Sequence, residues 1–401
     1  MLALRFVVLT LGVALGVFYP FISVILADLG FEPSGIGLIA SIGAVGFTLA
    51  VPAWGHLADV RLGRPRTLQL CGIGAAVAVG LMTLPLPAVL IAVLFVGFWV
   101  FESAWQPLAD ALTVNAVDGR SYARIRSLSS LAFAVGAIVA GFVYDRTGYG
   151  GAFVAFAIGA IAMAVAARSV PDVGRAVLHD RRRPTEVGAG RRAALLGSAG
   201  VALRVAPRLG LILVAVSLLH VGIISGFTFL PLRIGEIGGQ PSDVALAAGL
   251  SAAVEIPSML LAAGIARRIG LRGMFVGSAL IYAAAIASWI VLDVPAAIIV
   301  TRAFTGVAFA GTVVAVVLTV AALLPPQLQA TGQALYQTVA FGLAAIAANI
   351  VGGVLYDAFG HEAVFGLGTA MALAAAILGW WAFPRDAGRR APPSAEPDRA
   401  V

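Results

Sequence analysis

Apolar residues fall into twelve long blocks along the chain, separated by short polar breaks, at about 4–26, 35–57, 67–84, 88–114, 123–144, 151–168, 209–232, 243–266, 272–292, 296–323, 329–356 and 362–383. About 20 apolar residues in helical conformation cross a bilayer. The pattern therefore predicts an all-α membrane protein with twelve transmembrane helices. The first block is too long for the core of a signal peptide and lacks a small-residue cleavage site, so it is expected to remain as the first helix. One break is much longer than the others: "SVPDVGRAVLHDRRRPTEVGAGRRAALLGSAGVALRVAPR", Gly- and Arg-rich, with little hydrophobic periodicity. It divides the helices six and six. The expected organisation is a first bundle over 1–170, a linker over 171–207, a second bundle over 208–384 and a disordered tail over 385–401. Within the linker, residues 195–206 have the pattern of a short interfacial helix.

The two halves repeat. "GFVYDRTGYGGAF" (141–153) aligns with "GVLYDAFGHEAVF" (353–365) as G-x-x-Y-D-x-x-G-x-x-x-x-F. "GFEPS" (30–34) aligns with "GGQPS" (238–242), and Pro87-Ala88 with Pro295-Ala296. Six helices repeated in parallel form two bundles related by a pseudo-two-fold axis, an arrangement of transporters.

Charge is scarce, at 11% of residues against 61% hydrophobic, where a soluble domain has roughly a quarter charged. The 26 cations are all arginines. With both termini placed inside, 23 of them flank the cytoplasmic face, Arg146 and Arg233 face out, and Arg302 lies within the membrane. This asymmetry obeys the positive-inside rule and predicts a multi-pass protein of the cytoplasmic membrane with both termini cytoplasmic. The net charge of +7 then reflects orientation and contact with anionic lipid rather than nucleic-acid binding. The single Cys71 excludes an internal disulfide, and His56, His179, His220 and His361 lie on separate segments without ligand spacing. No metal or cofactor is expected. Neither a nucleophile with a base nor a nucleotide-binding motif is apparent, so an enzyme is not expected.

Ionisable residues inside a bilayer mark function by default, because each is costly unless it faces a cavity or a partner. Five stand out: Glu102 and Asp110 on the fourth helix, His220 on the seventh, Glu255 on the eighth and Arg302 on the tenth. Glu102 and Glu255 each sit about 12 residues, or roughly 18 Å, from the cytoplasmic end of their helices, near the midplane of a core about 30 Å thick. They are the candidate proton carriers, Glu255 before Glu102 because Arg302 in the same half could discharge and recharge it. Asp110 lies close to the end of its helix at the depth of Arg126, which suggests an ion pair. His220 is a candidate ligand or relay, and Arg302 a site for an anionic group or a neighbouring acid. Tyr19, Trp99, Trp105, Gln106, Tyr336, Gln337 and Asn349 are polar or aromatic positions able to shape a binding cavity.

"GHLADVRLGRPR" (55–66), between the second and third helices, supplies a family likeness. It resembles G-x-L-A-D-x-x-G-R-[KR], the loop signature of the major facilitator superfamily, in Gly55, Leu57, Ala58, Asp59, Gly63 and Arg64, with one extra residue between Asp59 and Gly63. "AGIARRIGLR" (263–272) is a degenerate counterpart in which Arg267 replaces Asp59. The resemblance implies that helices three, six, nine and twelve are peripheral while the others line a central cavity. It also implies that Asp59 faces the N-terminus of helix eleven, near Ala330 to Gln333, and latches the halves while the cavity opens outward. Gly55, Gly63, Arg64, Asp110 and Arg126 belong to the same latch region. "RAFTGVAFAG", headed by Arg302, resembles an R-x-x-x-G helix element of that superfamily. Residues 109–141 and 325–360 look most like the branch holding phenylpropionate permease, nucleoside–proton symporters and lactose permease. The expectation is a monomeric secondary transporter moving a small organic solute by proton symport. Proton-coupled efflux of a drug or metabolite is the alternative, and the fifth helix lacks the G-P-x-x-G-G element of the antiporters.

Overall fold

The computed structural model describes residues 2–114, 116, 119–172 and 199–385. Most of the expected linker and tail, 173–198 and 386–401, lies outside the described residues. Residues 199–205 are helical, within the stretch expected to form a short helix.

Twelve long helices follow the hydrophobic blocks among the described residues. They are α1 (Leu2–Asp28), α2 (Pro33–Leu62), α3 (Arg64–Leu81), α4 (Ala88–Val114), α5 (Gly119–Thr147), α6 (Gly150–Ala167), α7 (Pro207–Glu236), α8 (241–269), α9 (271–291), α10 (Pro295–Leu323), α11 (326–359) and α12 (361–382). Proline opens α2, α7, α8, α10 and α11, where its missing N–H has no helical partner to lose. Long apolar side chains such as Leu260, Ile377 and Trp381 cover the outer surface, as expected of helices facing lipid. The chain is an all-α multi-pass membrane protein. Among the described residues, ten stretches are long and apolar enough to cross a membrane, one of them containing both α11 and α12. α3 is not among the ten; it carries two arginines in its first turn, and begins three residues before the block that predicted it.

The repeat is visible in the backbone. Among the described residues, those with positive φ are six glycines in three pairs: Gly30 with Gly238, Gly63 with Gly270, and Gly148 with Gly360. Each pair closes the same turn in the two halves, and only glycine takes that conformation cheaply. Gly63 lies 33 positions after Gly30, but Gly270 lies 32 after Gly238. The additional residue is accommodated in α2, whose last turn, Ala58–Leu62, is a π-helix. A π-turn is how an α-helix absorbs one inserted residue, so the longer loop signature leaves Gly63 and Arg64 at the start of α3.

In the first half α1 packs on α5 and α6, and α3 on α4 and α6; in the second, α7 packs on α11–α12 and α8–α9 on α10. Between the halves α2 packs on α11, and α5 on α8. Both crossings are tightest at the arginine-poor end. There, any Cβ on Gly37 would strike the Asn349 carbonyl, and one on Gly141 would lie 2.9 Å from the Ser242 Cα. The buried cores agree: one runs through the first bundle and continues into Phe229, Ile234, Val244, Trp289 and Phe365 at the arginine-poor end of the second. A separate core fills the arginine-rich end of the second bundle alone. The halves are sealed at one end.

Candidate functional site

Two polar clusters lie inside this scaffold, one in each bundle. In the first, α4 breaks at Ser103–Ala104, immediately after Glu102, leaving Ala88–Glu102 and Trp105–Val114 as separate helical segments. Glu102 is buried, and its Oε2 has no hydrogen-bond partner. Its neighbours are the Tyr19 phenol and Trp99. Tyr19 sits in a 3₁₀ turn, Tyr19–Phe21, where Pro20 interrupts α1, and it is exposed. Behind these residues is a packed aromatic wall in which Phe18 meets Phe95, Phe98 and Phe156. Trp105 belongs to that wall. It is fully buried and stacked on Phe156 at 5.6 Å, and its Nε1 is also buried without a partner.

In the second bundle the cluster is built around Arg302 on α10. Its guanidinium lies 3.8 Å over the Phe227 ring and donates to Thr305 Oγ1 at 3.0 Å. The Thr305 hydroxyl donates to the Arg302 carbonyl at 2.8 Å, leaving Ser251 Oγ of α8, 3.3 Å away, to donate to it. Glu255 is one helical turn beyond Ser251, on the same face of α8, and is half-buried. Helices α8 and α10 meet here at Gly306, whose absent side chain leaves room for the Ser251 carbonyl and the Glu255 N–H. No ion pair joins Glu255 to Arg302 among the described residues. Tyr282 on α9 lies within electrostatic reach of Arg302, Glu255 and Tyr336. His220 is buried, its Nδ1 2.9 Å from the Val216 carbonyl, with Phe341 and Tyr336 ringed around it at 5.0 and 6.1 Å. α11 passes through a π-turn, Thr338–Leu343, beside this group, and Gln337 is exposed.

His220 Nε2, Tyr282 Oη, Tyr336 Oη and Glu102 Oε2 are all buried without a partner. Such atoms are uncommon in folded proteins and mark places where water or a ligand completes the hydrogen bonding. Tyr282, Thr305, Ser251 and Phe227 were not singled out by sequence. A tyrosine in an otherwise apolar ninth block was the available signal; a serine, a threonine or a phenylalanine in a membrane helix carries none.

The expected latch residues lie at the arginine-rich end. Asp59 forms an ion pair with Arg64 at 3.4 Å, and is exposed. The Arg64 N–H, at the start of α3, is capped by Asp172 Oδ2 at 3.1 Å. The first turns of α11 bond to α10 instead, through Gln329 to the Ala321 carbonyl and Gln333 to the Val317 carbonyl. Nothing lies near the Cβ position of Gly55. Asp110 accepts from Gln106 Nε2 at 2.9 Å and meets Arg126 Nε at 3.6 Å. Arg126 is also within electrostatic reach of Glu255 in the other bundle.

The family model described as the MFS_1 like family matches residues 2–367. Among curated proteins, the chain is 29% identical to the maltose permease of Geobacillus stearothermophilus over 359 residues, covering 88% of this chain and 86% of the permease. Among solved structures, a mutant of the nucleoside transporter NupG matches with a TM-score of 0.82 at 15% identity, over 96% of this chain and 99% of that one. A D-xylose–proton symporter matches with a TM-score of 0.67 at 16% identity, over 96% and 98%. At these identities the structural likeness concerns the fold.

Proposed function

The chain belongs to the MFS_1 like family and is a transporter of the major facilitator type, and on that footing we propose that it is a proton-coupled symporter of a small hydroxylated organic solute. It works in the cytoplasmic membrane as a monomer, with the arginine-rich end and both termini inside, so the conformation described here is open inward. The observation that carries this reading is the one-sided seal. The halves close on each other at the arginine-poor end through α2, α5, α8 and α11, while Glu102 Oε2, His220 Nε2, Tyr282 Oη and Tyr336 Oη are buried without partners inside the two bundles. A path that is shut on one side and chemically equipped within is what alternating access requires.

The solute is bound by the second bundle. Arg302, Tyr282, Tyr336 and His220 offer hydrogen bonds in fixed directions beside the Phe227 and Phe341 rings, and a sugar presents hydroxyls and an apolar ring face to match. The maltose permease relative supports a saccharide. The proton is carried by a carboxylate, with Glu102 favoured over Glu255. Glu102 has no cation bonded to it among the described residues, and an ionised acid there is costly, whereas Glu255 lies within electrostatic reach of Arg126.

Proteoliposomes test the proposal directly. Maltose, other saccharides and nucleosides are offered with an imposed inward proton gradient, and at least one is expected to accumulate above equilibrium and to collapse when the gradient is dissipated. Accumulation driven only by the opposite gradient would establish antiport, and uptake that never exceeds equilibrium would remove proton coupling. Reporter fusions after Gly239 and at the C-terminus should read external and cytoplasmic respectively.

A further inference from the structure

The repeated motifs G-x-x-P-S and Y-D were read from the sequence as signs of duplication, but in the fold they touch each other across the bundle interface. Asp145, at the end of α5 in the first bundle, accepts the Ser242 N–H at the start of α8 at 2.8 Å. Asp357, at the end of α11 in the second bundle, accepts the Ser34 N–H at the start of α2 at 3.0 Å. The two contacts are pseudo-symmetric copies in which each half supplies one carboxylate and one helix N-terminus. Immediately beneath them the helices touch backbone to backbone. Gly353 faces the Pro33 carbonyl and Ser34, Gly141 faces Ser242 and Ala245, and Ser41 Oγ donates to the Ile346 carbonyl at 3.1 Å.

We propose that Asp145 and Asp357 are positioning residues of the transport cycle, a paired outer latch whose two carboxylates hold the arginine-poor end shut. The physical basis is a charge placed on the unsatisfied N–H groups of the opposite bundle's helix, where the helix dipole favours an anion. Neither carboxylate has an ion-pair partner among the described residues, so no side-chain cation competes for it. The interaction exists only while α2 meets α11 and α5 meets α8. It therefore stabilises one state of the cycle and not the other, which is the condition for shifting a population. The duplication explains why two latches exist: one ancestral pair of motifs, doubled, closes both crossings of a single interface. Asp243 provides an internal contrast. It accepts the Gln240 N–H at 2.8 Å at the same end of α8, but the cap lies within its own helix and does not cross the interface.

The inference rests on the alternating-access reading, and its test needs neither substrate nor proton gradient, so the two fail separately. Ser41 is buried at the sealed crossing, and Cys71, the single native cysteine, is buried too. Ser41→Cys in a Cys71→Ala background is labelled with a hydrophilic maleimide on purified protein in detergent. Asp145→Asn and Asp357→Asn are each expected to raise the labelling rate about threefold to tenfold, and the pair by about the product of the two. Asp243→Asn should leave the rate unchanged although it removes a cap of similar kind. Asp145→Glu and Asp357→Glu, which keep the charge, should restore much of the slow labelling. Thermal unfolding followed by tryptophan fluorescence identifies a variant that has lost its fold, in which case the other aspartate and its Glu variant carry the test. Unchanged labelling in the folded Asn variants, or an equal rise in Asp243→Asn, overturns the latch.

Discussion

The two bundles arose from one repeat, yet their interiors are built differently. At the ends of the helices the copies agree closely: paired glycines close the same turns, and paired Pro-Ser and Tyr-Asp motifs meet at the same crossings. Inside, the first bundle is a wall of stacked aromatics around one buried acid, Glu102, whereas the second is a hydrogen-bonded group of Arg302, Thr305 and Ser251 with three aromatic or imidazole groups left partnerless. The lesson is that duplication preserved the helix ends that meet across the interface and released the interiors, where the proposed function places binding. Glu102 and Glu255 show it best. They lie at equal distances from the starts of their helices, but one sits beside the rings of Tyr19 and Trp99 and the other within electrostatic reach of Arg126.

The largest effect should separate those two acids. Glu102→Gln is expected to abolish gradient-driven accumulation, a loss of about a hundredfold or more, while substrate counterflow in the same proteoliposomes survives. Glu255→Gln should reduce both more evenly. If the roles are exchanged, the assignment of the proton to the first bundle is wrong. Next, Arg302→Ala should weaken binding by roughly ten- to a hundredfold, read by a ligand-dependent thermal shift, because it removes the cation around which the second cluster is built. Phe227→Ala should cost about three- to tenfold, the scale of a cation–π contact plus some packing. A larger loss at Phe227 than at Arg302 would make the ring, not the charge, the main recognition element.

Stability offers a contrast between crowded and open glycines. Gly306→Ala places a methyl against the Ser251 carbonyl and should destabilise the second bundle by about 1–3 kcal/mol, whereas Gly366→Ala, with open space at its Cβ position, should be near neutral in thermal unfolding. The smallest effect is expected at the arginine-rich end. Asp59 is exposed and paired with Arg64, five residues along the chain, in this conformation, and an exposed pair contributes little. Asp59→Asn should therefore leave thermal stability within the error of measurement here. Its influence is expected in the opposite conformation, as a modest shift toward inward-open that cysteine accessibility from each side would detect. An unchanged accessibility pattern would reduce Asp59 to a solvated loop charge.

Much was determined by the chain alone. Hydrophobic length set the number of helices, because backbone groups in lipid must be paired within helices and each crossing needs a minimum of apolar residues. Repeated motifs revealed the doubling, and proline and glycine placed most of the helix starts and turns, since these residues act through local backbone geometry. The positions of Glu102 and Glu255 along their helices were also legible, being only a distance in residues. What lies around each of them was not. Which way a side chain points depends on helix rotation and on local breaks such as that between Glu102 and Trp105 and the π-turn that absorbs an extra residue before Gly63. The meeting of Asp145 with Ser242 and of Asp357 with Ser34 joins residues 97 and 323 positions apart. No local rule reaches that far, because such contacts exist only once two bundles have packed against each other, and their partners are chosen by the shape of that interface.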